Sequence, residues 1–207
     1  LDHLYEPDAQ RIAQEPYSGD DGGFLFFGYP PHVAVLSAPL AALPFRVSWV
    51  ITTALMVAGA LGALALLRPV LPILQTAWWP CAALSLTFVP LFVGVGLGQN
   101  TAVSLLLIAA AWRLLHDDRD AAAGAALGLL LFKPQLAIPL LVFVAAGGRW
   151  KAIGSAALVG AATWVVNAAI LGVGWVGAWL DGLSAFADID RASNAANTVS
   201  LLGVADT

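Results

Sequence analysis

Apolar residues run through this chain in blocks, and the polar residues collect where the blocks end. Residues 47–67 form an unbroken apolar block that stops at Arg68-Pro69, and residues 152–173 form another. Both reach the roughly 20 residues a helix needs to cross the hydrocarbon of a bilayer. Residues 77–97 read as a third span, opened by Trp78-Trp79 and carrying Pro80 and Pro90. Shorter blocks at 33–45, 101–115, 121–132 and 136–146 fall below that length. The first of them reads as a short or re-entrant helix broken at Pro39 and Pro44, and residues 70–76 as a short connection. After residue 173 the pattern turns amphipathic (Trp175, Trp179, Asp181, Phe186) and then polar through Ser193-Asn194. No repeat of fixed period is present, which excludes a solenoid.

The one long polar stretch before that tail is the loop at residues 1–31, which leads into the short apolar helix that ends at Pro44. It holds Asp2, Glu6, Asp8, Glu15, Asp20 and Asp21 against Arg11, with Tyr5, Tyr17, Phe24, Phe26, Phe27 and Tyr29 among them. Aromatic residues favour the membrane–water interface, so this segment is expected to be a folded loop on a membrane surface. It runs into Pro30-Pro31, where Pro31 suits a first helical position because its missing N–H has no helical partner to lose.

Composition sharpens the class. The chain is 60% hydrophobic and 11% charged, against about 25% charged in soluble domains. The expected fold is all-α, a polytopic transmembrane helical bundle. Its parts are a loop at 1–31, a bundle at 32–174 and an interfacial or ectoplasmic segment at 175–207. A lone cysteine, Cys81, allows no internal disulfide and reads as packing. Leu1 is not an initiator methionine and the chain stops at Ala205-Asp206-Thr207 without a closing element, so an internal piece of a larger protein is expected, truncated at both ends.

The basic residues orient the bundle. With the first loop outside, Arg68, Arg113, Arg119, Arg149 and Lys151 fall at cytoplasmic ends, and Arg11, Lys133 and Arg191 fall outside. That bias agrees with the positive-inside rule. It also places the first loop, Gly98-Gln99-Asn100, Lys133-Pro134-Gln135 and the Asn-rich tail on one non-cytoplasmic face.

Candidate chemistry lies on that face. Lys133 ends a short apolar block, where an ammonium either snorkels to water or meets an anion such as a lipid phosphate. Gln99 and Asn100 follow a glycine-broken helix; their amides can bond sugar hydroxyls, and Asn100 can instead cap the next helix. Asn167 lies inside an apolar block and must find a hydrogen-bond partner, most simply another helix. Asp2 and the acids behind it offer a general base, although exposed loop acids are commonly just solvated. His3 and His32 are further acid–base or ligand groups. No spaced His, Cys or carboxylate set marks a metal site, and no nucleotide-binding glycine motif or nucleic-acid-binding basic patch is present.

An ordered set of motifs then gives the chain a resemblance. Asp2-His3-Leu4-Tyr5 with Ala9, Phe27-Gly28-Tyr29-Pro30-Pro31, Ala38-Pro39-Leu40, Leu43-Pro44, Gly98-Gln99-Asn100, Phe132-Lys133-Pro134-Gln135 and the Asn/Ser segment at 194–200 occur in sequence. The set resembles the glycosyltransferases of family 87, GT-C-type membrane enzymes dependent on polyprenyl-phosphate mannose. The resemblance implies a GT-C-like helical bundle in the plasma membrane, with an ectoplasmic catalytic loop that transfers a hexose with inversion to a lipid-linked or cell-envelope glycan. Asp2 is the position matching the family's loop base. Lys133 and Arg191 are candidates to face the donor phosphate. Tyr29, Gln99, Asn100, Gln135 and Asn197 are candidates to contact substrate. No cofactor or nucleic acid is called for, and a divalent metal is not indicated but is left open; the partners are donor, acceptor and membrane lipid. The tail departs from the family pattern, with Asn197-Thr198-Val199-Ser200 where an Asn-Gln-Ser-like run is usual. Two rival readings remain open, a secondary transporter with its site among broken helices and a non-catalytic membrane subunit.

Overall fold

The computed structural model describes residues 3–17, 26–96 and 99–194, with only the backbone described at Pro90, Val95, Gly96 and residues 188–194. Every regular element among the described residues is helical. The chain forms two compact units, Val35–Trp164 and a second made of Leu1–Ala34 with Val165–Thr207.

The larger unit takes in most of α2 (Pro31–Ala41), α3 (Phe45–Leu67), α4 (Pro72–Thr76), α5 (Trp78–Thr87), α6 (Val89–Gly96), α7 (Thr101–His116), α8 (Asp120–Leu129, continued by a 3-10 turn to Phe132), α9 (Pro134–Ala146) and the start of α10 (Trp150–Leu171). α2 begins at Pro31 and carries Pro39 within it, so the expected break at Pro39 does not occur. It ends shortly before Pro44, since proline disfavours helical geometry in the residue before it. The Leu40 carbonyl there accepts from the Ser48 hydroxyl at 2.5 Å.

The span expected over 77–97 is two helices. Phe88 leaves α5 in extended geometry, with ψ 113°, and Pro90 removes an N–H that a continuous helix would need.

Small residues set the packing. α3 and α7 meet around Met56, Ala60, Leu91 of α6 and Ala102. A Cβ on Gly59 would sit 3.5 Å from Ala102, and one on Gly62 would sit 3.4 Å from Leu106. Contacts that advance together along both helices mean that they run parallel. Gly124 and Gly128 of α8 face Ala152, Ala156 and Val159 of α10, and Leu131 reaches Gly160, so these two are parallel as well. The Gly124-x-x-x-Gly128 spacing lets backbones approach closely. Arg149 bonds Asp118 at 2.7 Å and Asp120 at 3.0 Å, which ties the end of α9 back to the start of α8. The pair is therefore a helical hairpin with Lys133 at its tip.

By length and composition α3 and α10 can each cross a membrane. Trp49, Val50 and Leu55 on α3, and Leu158, Trp164 and Val165 on α10, are exposed. Helices hydrophobic on their outer faces belong in lipid.

Candidate functional site

The second unit is built on the first loop and α11 (Trp175–Asn194). After a turn at His3–Tyr5 the loop forms α1 (Pro7–Gln14), with Pro7 at its first position, and a 3-10 turn at Glu15–Tyr17. Gln10 holds two strands of loop together. Its Nε2 donates to the Leu4 carbonyl at 2.6 Å, and its Oε1 accepts from the Phe27 N–H at 2.7 Å. Tyr5 donates from its hydroxyl to the Tyr29 carbonyl at 2.8 Å. Trp179 of α11 donates to the Gly28 carbonyl at 3.0 Å, and Phe26 stacks on Phe186 at 5.1 Å. Small residues fit these contacts, and at Gly182 a side chain would force the loop to shift. A Cβ on Gly182 would press to 2.9 Å of the Tyr5 carbonyl oxygen, and one on Gly28 to 3.1 Å of Leu183.

Asn167 finds the partner its buried position demands. Its Oδ1 accepts from the His32 backbone N–H at 2.8 Å and from His32 Nδ1 at 3.0 Å. An amide oxygen only accepts, so the His32 proton sits on Nδ1. The first of these bonds also satisfies one of the orphan N–H groups at the start of α2.

Beside this framework lies a cavity of about 600 Å³. Tyr5, Glu6, Trp175, Asp181 and Gly182 are in its wall. Trp175 is 6% exposed, and its buried indole N–H has no acceptor among the described residues. Glu6 pairs with His3 at 2.9 Å, with both side chains well exposed. Burial raises the Tyr5 and Tyr29 pKa values, because desolvation disfavours the phenolate.

The residues singled out from sequence fall into three groups. Tyr29 is in this unit, half-buried, its ring edge-on to Phe27 at 5.5 Å; it anchors the loop. Gln99, Asn100, Lys133 and Gln135 belong to the larger unit. There the helix directions put Asn100, at the start of α7, and Lys133, at the end of the α8 leg, at the same end. Asn100 occupies the N-cap position of α7 but makes no side-chain capping bond. Its Oδ1 is buried without a donor among the described residues. Lys133 is half-buried, with Nζ 5.8 Å from the Phe132 ring centre, and burial lowers its pKa by penalising the charged form. Gln135 is exposed in the first turn of α9. Asp2 and Asn197 lie outside the described residues, and Arg191 is described only as backbone of α11. No group of three or more His, Cys, Asp or Glu among the described residues is placed to hold a metal.

The family model of glycosyltransferase family 87 matches residues 26–206. The chain belongs to that family. No curated protein and no solved structure matches it. A family 87 glycosyltransferase moves a sugar from a donor to an acceptor and works in a membrane, which agrees with the two exposed apolar helices. The matched region begins at Phe26, so it takes in α2 to α11 and leaves Asp2 and α1 before it.

Gln10, Glu6, Trp175 and Asp181 were not among the site residues expected from sequence. For α11 a signal was present, because Trp175, Ala178, Gly182 and Ala185 recur at intervals of three and four and so share one helix face. For Gln10 there was none. A single amide in a polar loop carries no mark of what it holds.

Proposed function

We propose that this family 87 chain transfers a hexose, mannose by its resemblance, from a polyprenyl-phosphate sugar to a hydroxyl of a lipid-linked or cell-envelope glycan. The family match over residues 26–206 carries the reading. A first loop locked into a folded unit by Gln10, Tyr5 and Trp179 supports it, since catalysis by positioned groups needs a rigid frame. In this proposal the protein is a GT-C-like polytopic bundle of the plasma membrane with its active loop on the non-cytoplasmic face.

The Asp2 carboxylate takes the proton of the acceptor hydroxyl as that oxygen attacks the anomeric carbon. The bond from that carbon to the phosphate oxygen breaks on the opposite side, which inverts the centre, and its electron pair leaves with the polyprenyl phosphate. The transition state is oxocarbenium-like, so a nearby carboxylate also stabilises the positive charge that develops on the sugar. Lys133 and Arg191 are the proposed partners of the leaving phosphate, and Tyr29, Gln99, Asn100, Gln135 and Asn197 the proposed substrate contacts.

The test is transfer of radiolabelled mannose from polyprenyl-phosphate mannose to membrane lipids by the full-length protein and its Asp2→Asn variant. Loss of at least about a hundred-fold in a variant that still accumulates is expected of a lost general base. Unchanged transfer would move the base elsewhere in the loop. No transfer from any polyprenyl-phosphate sugar would overturn the reading in favour of a transporter.

A further inference from the structure

Arg68 closes α3 at the end of the larger unit opposite Lys133, because α3 runs parallel to α7 and the α8 leg returns from that end. The sequence around it supplies no counter-ion, since no aspartate or glutamate occurs between Asp21 and Asp117. The acids that end α7 and open α8 are already engaged. Asp117 accepts from Arg113 at 2.8 Å, and Asp118 and Asp120 hold Arg149. Arg68 is exposed, and its side chain makes no ion pair or hydrogen bond among the described residues. Its guanidinium lies instead over the Trp78 ring, 5.3 Å from the ring centre. The ring quadrupole holds a cation there, and that contact uses none of the five N–H donors.

Beside this pair is a groove of about 520 Å³, with Arg68, Gln75, Thr76, Trp78 and Trp79 in its wall. Gln75 donates from Nε2 to the Pro69 carbonyl at 3.2 Å, which leaves a second amide N–H to give. Trp79 is 79% exposed. Pro80 and Leu84, one turn apart on one face of α5, continue the exposed apolar surface away from the groove. The groove therefore has a cationic head and an apolar flank. A guanidinium meets a phosphate through two parallel bonds, and tryptophan favours the headgroup level of a bilayer. α3 is long and apolar enough to carry Arg68 to that level.

We propose that this groove binds an anionic phospholipid of the leaflet opposite Lys133. Its phosphate lies on Arg68 within reach of the Gln75 amide, and an acyl chain follows Trp79 and Leu84. Charge complementarity names the occupant, because Arg119 and Lys151 join Arg68 at this end and clustered bases beside apolar helices draw anionic lipid. Free phosphate would satisfy the cation and leave the apolar flank uncovered. The proposal needs only the membrane placement of α3 and is independent of donor and acceptor.

Native mass spectrometry of the full-length protein in a neutral detergent tests it. The readout is affinity for the first bound dioleoyl-phosphatidylglycerol, with dioleoyl-phosphatidylcholine as the zwitterionic comparison. Arg68→Gln is expected to weaken phosphatidylglycerol binding at least about ten-fold, the effect of losing hydrogen bonds to a charged group. Arg68→Lys keeps the charge without the fork and should fall between wild type and Arg68→Gln. Arg119→Gln, at another exposed base of the same end, should bind as wild type does. Wild-type affinity in Arg68→Gln overturns the site; if that variant does not accumulate, wild-type affinity in Arg68→Lys does so. An equal loss in Arg119→Gln would mean diffuse attraction to a basic end and also overturns it. Phosphatidylcholine bound as tightly as phosphatidylglycerol removes the charge argument and overturns the anionic assignment. Displacement of the lipid by millimolar inorganic phosphate would overturn it in favour of a free anion.

Discussion

At the scale of single residues, the first loop depends on a few polar side chains that each hold two places at once. Gln10 is 9% exposed and serves a carbonyl and an N–H separated by much of the loop. Gln10→Ala leaves both without a side-chain partner and should lower stability by about 1–3 kcal/mol, read as a drop in thermal midpoint with early proteolysis between α1 and α2. Tyr5 gives a pH dependence. Its pKa is raised in the folded protein, so the proton is held more tightly there than in the unfolded chain. The stability this contributes is full below the ordinary tyrosine value of 10.0 and is lost as pH rises above it toward the folded value. Tyr5→Phe should flatten that alkaline loss; a wild-type midpoint that stays level from pH 9 to 11 would contradict the assignment. Asn167 was legible as a residue in need of a partner, because an amide in an apolar block cannot stay unpaired. That the partner is His32 was not legible, since nothing local couples positions so far apart in the chain.

At the scale of elements, glycine decides where helices touch. A Cβ at Gly124 would overlap the Ala152 carbonyl oxygen and lie 2.8 Å from the Ala152 Cα, whereas one at Gly154 would meet nothing within 4 Å. Gly124→Ala should therefore destabilise the protein by about 1–3 kcal/mol through forced separation of α8 and α10. Gly154→Ala should instead stabilise it by about 0.5–1 kcal/mol by relieving a glycine inside a helix. Chemical unfolding of both variants checks the pair, and equal effects would refute the packing. The helices themselves were readable from apolar run length, and α3 and α10 fall where the runs fall. The break at Phe88 was not, because Pro80 and Pro90 flank it alike in sequence. Pro80 is absorbed in the first turn of α5, where its missing N–H costs nothing, while Pro90 begins a new helix. Pro39 shows the converse, sitting inside α2 without ending it.

At the scale of the whole molecule, helix direction carries the prediction. Within the larger unit α3 parallels α7 and α8 parallels α10, and the Arg149 ion pairs close the α8–α9 hairpin at the end opposite Lys133. In intact membranes of a strain carrying the Cys81→Ser background, cysteines placed at Gln99 and Lys133 should react with an impermeant thiol reagent from the same side. One placed at Arg149 should react from the other. Labelling of all three from one side would contradict the hairpin, and labelling of Gln99 and Lys133 from the cytoplasmic side would contradict the non-cytoplasmic placement of the active face.

Hydrophobic run length and the scarcity of charge determined by themselves that this is a helical membrane protein, because lipid admits few alternatives to a helix for a long uncharged segment. The order of short motifs determined the family. Tertiary structure alone decided which polar groups meet. Gln10, Asn167 and Trp179 bond positions remote in sequence, and such contacts follow from how the chain is folded back and leave no periodic trace. The cavity is the clearest case. Glu6 and Asp181 are two ordinary solvent-exposed acids along the chain, and they become one wall only because Tyr5 packs against Gly182.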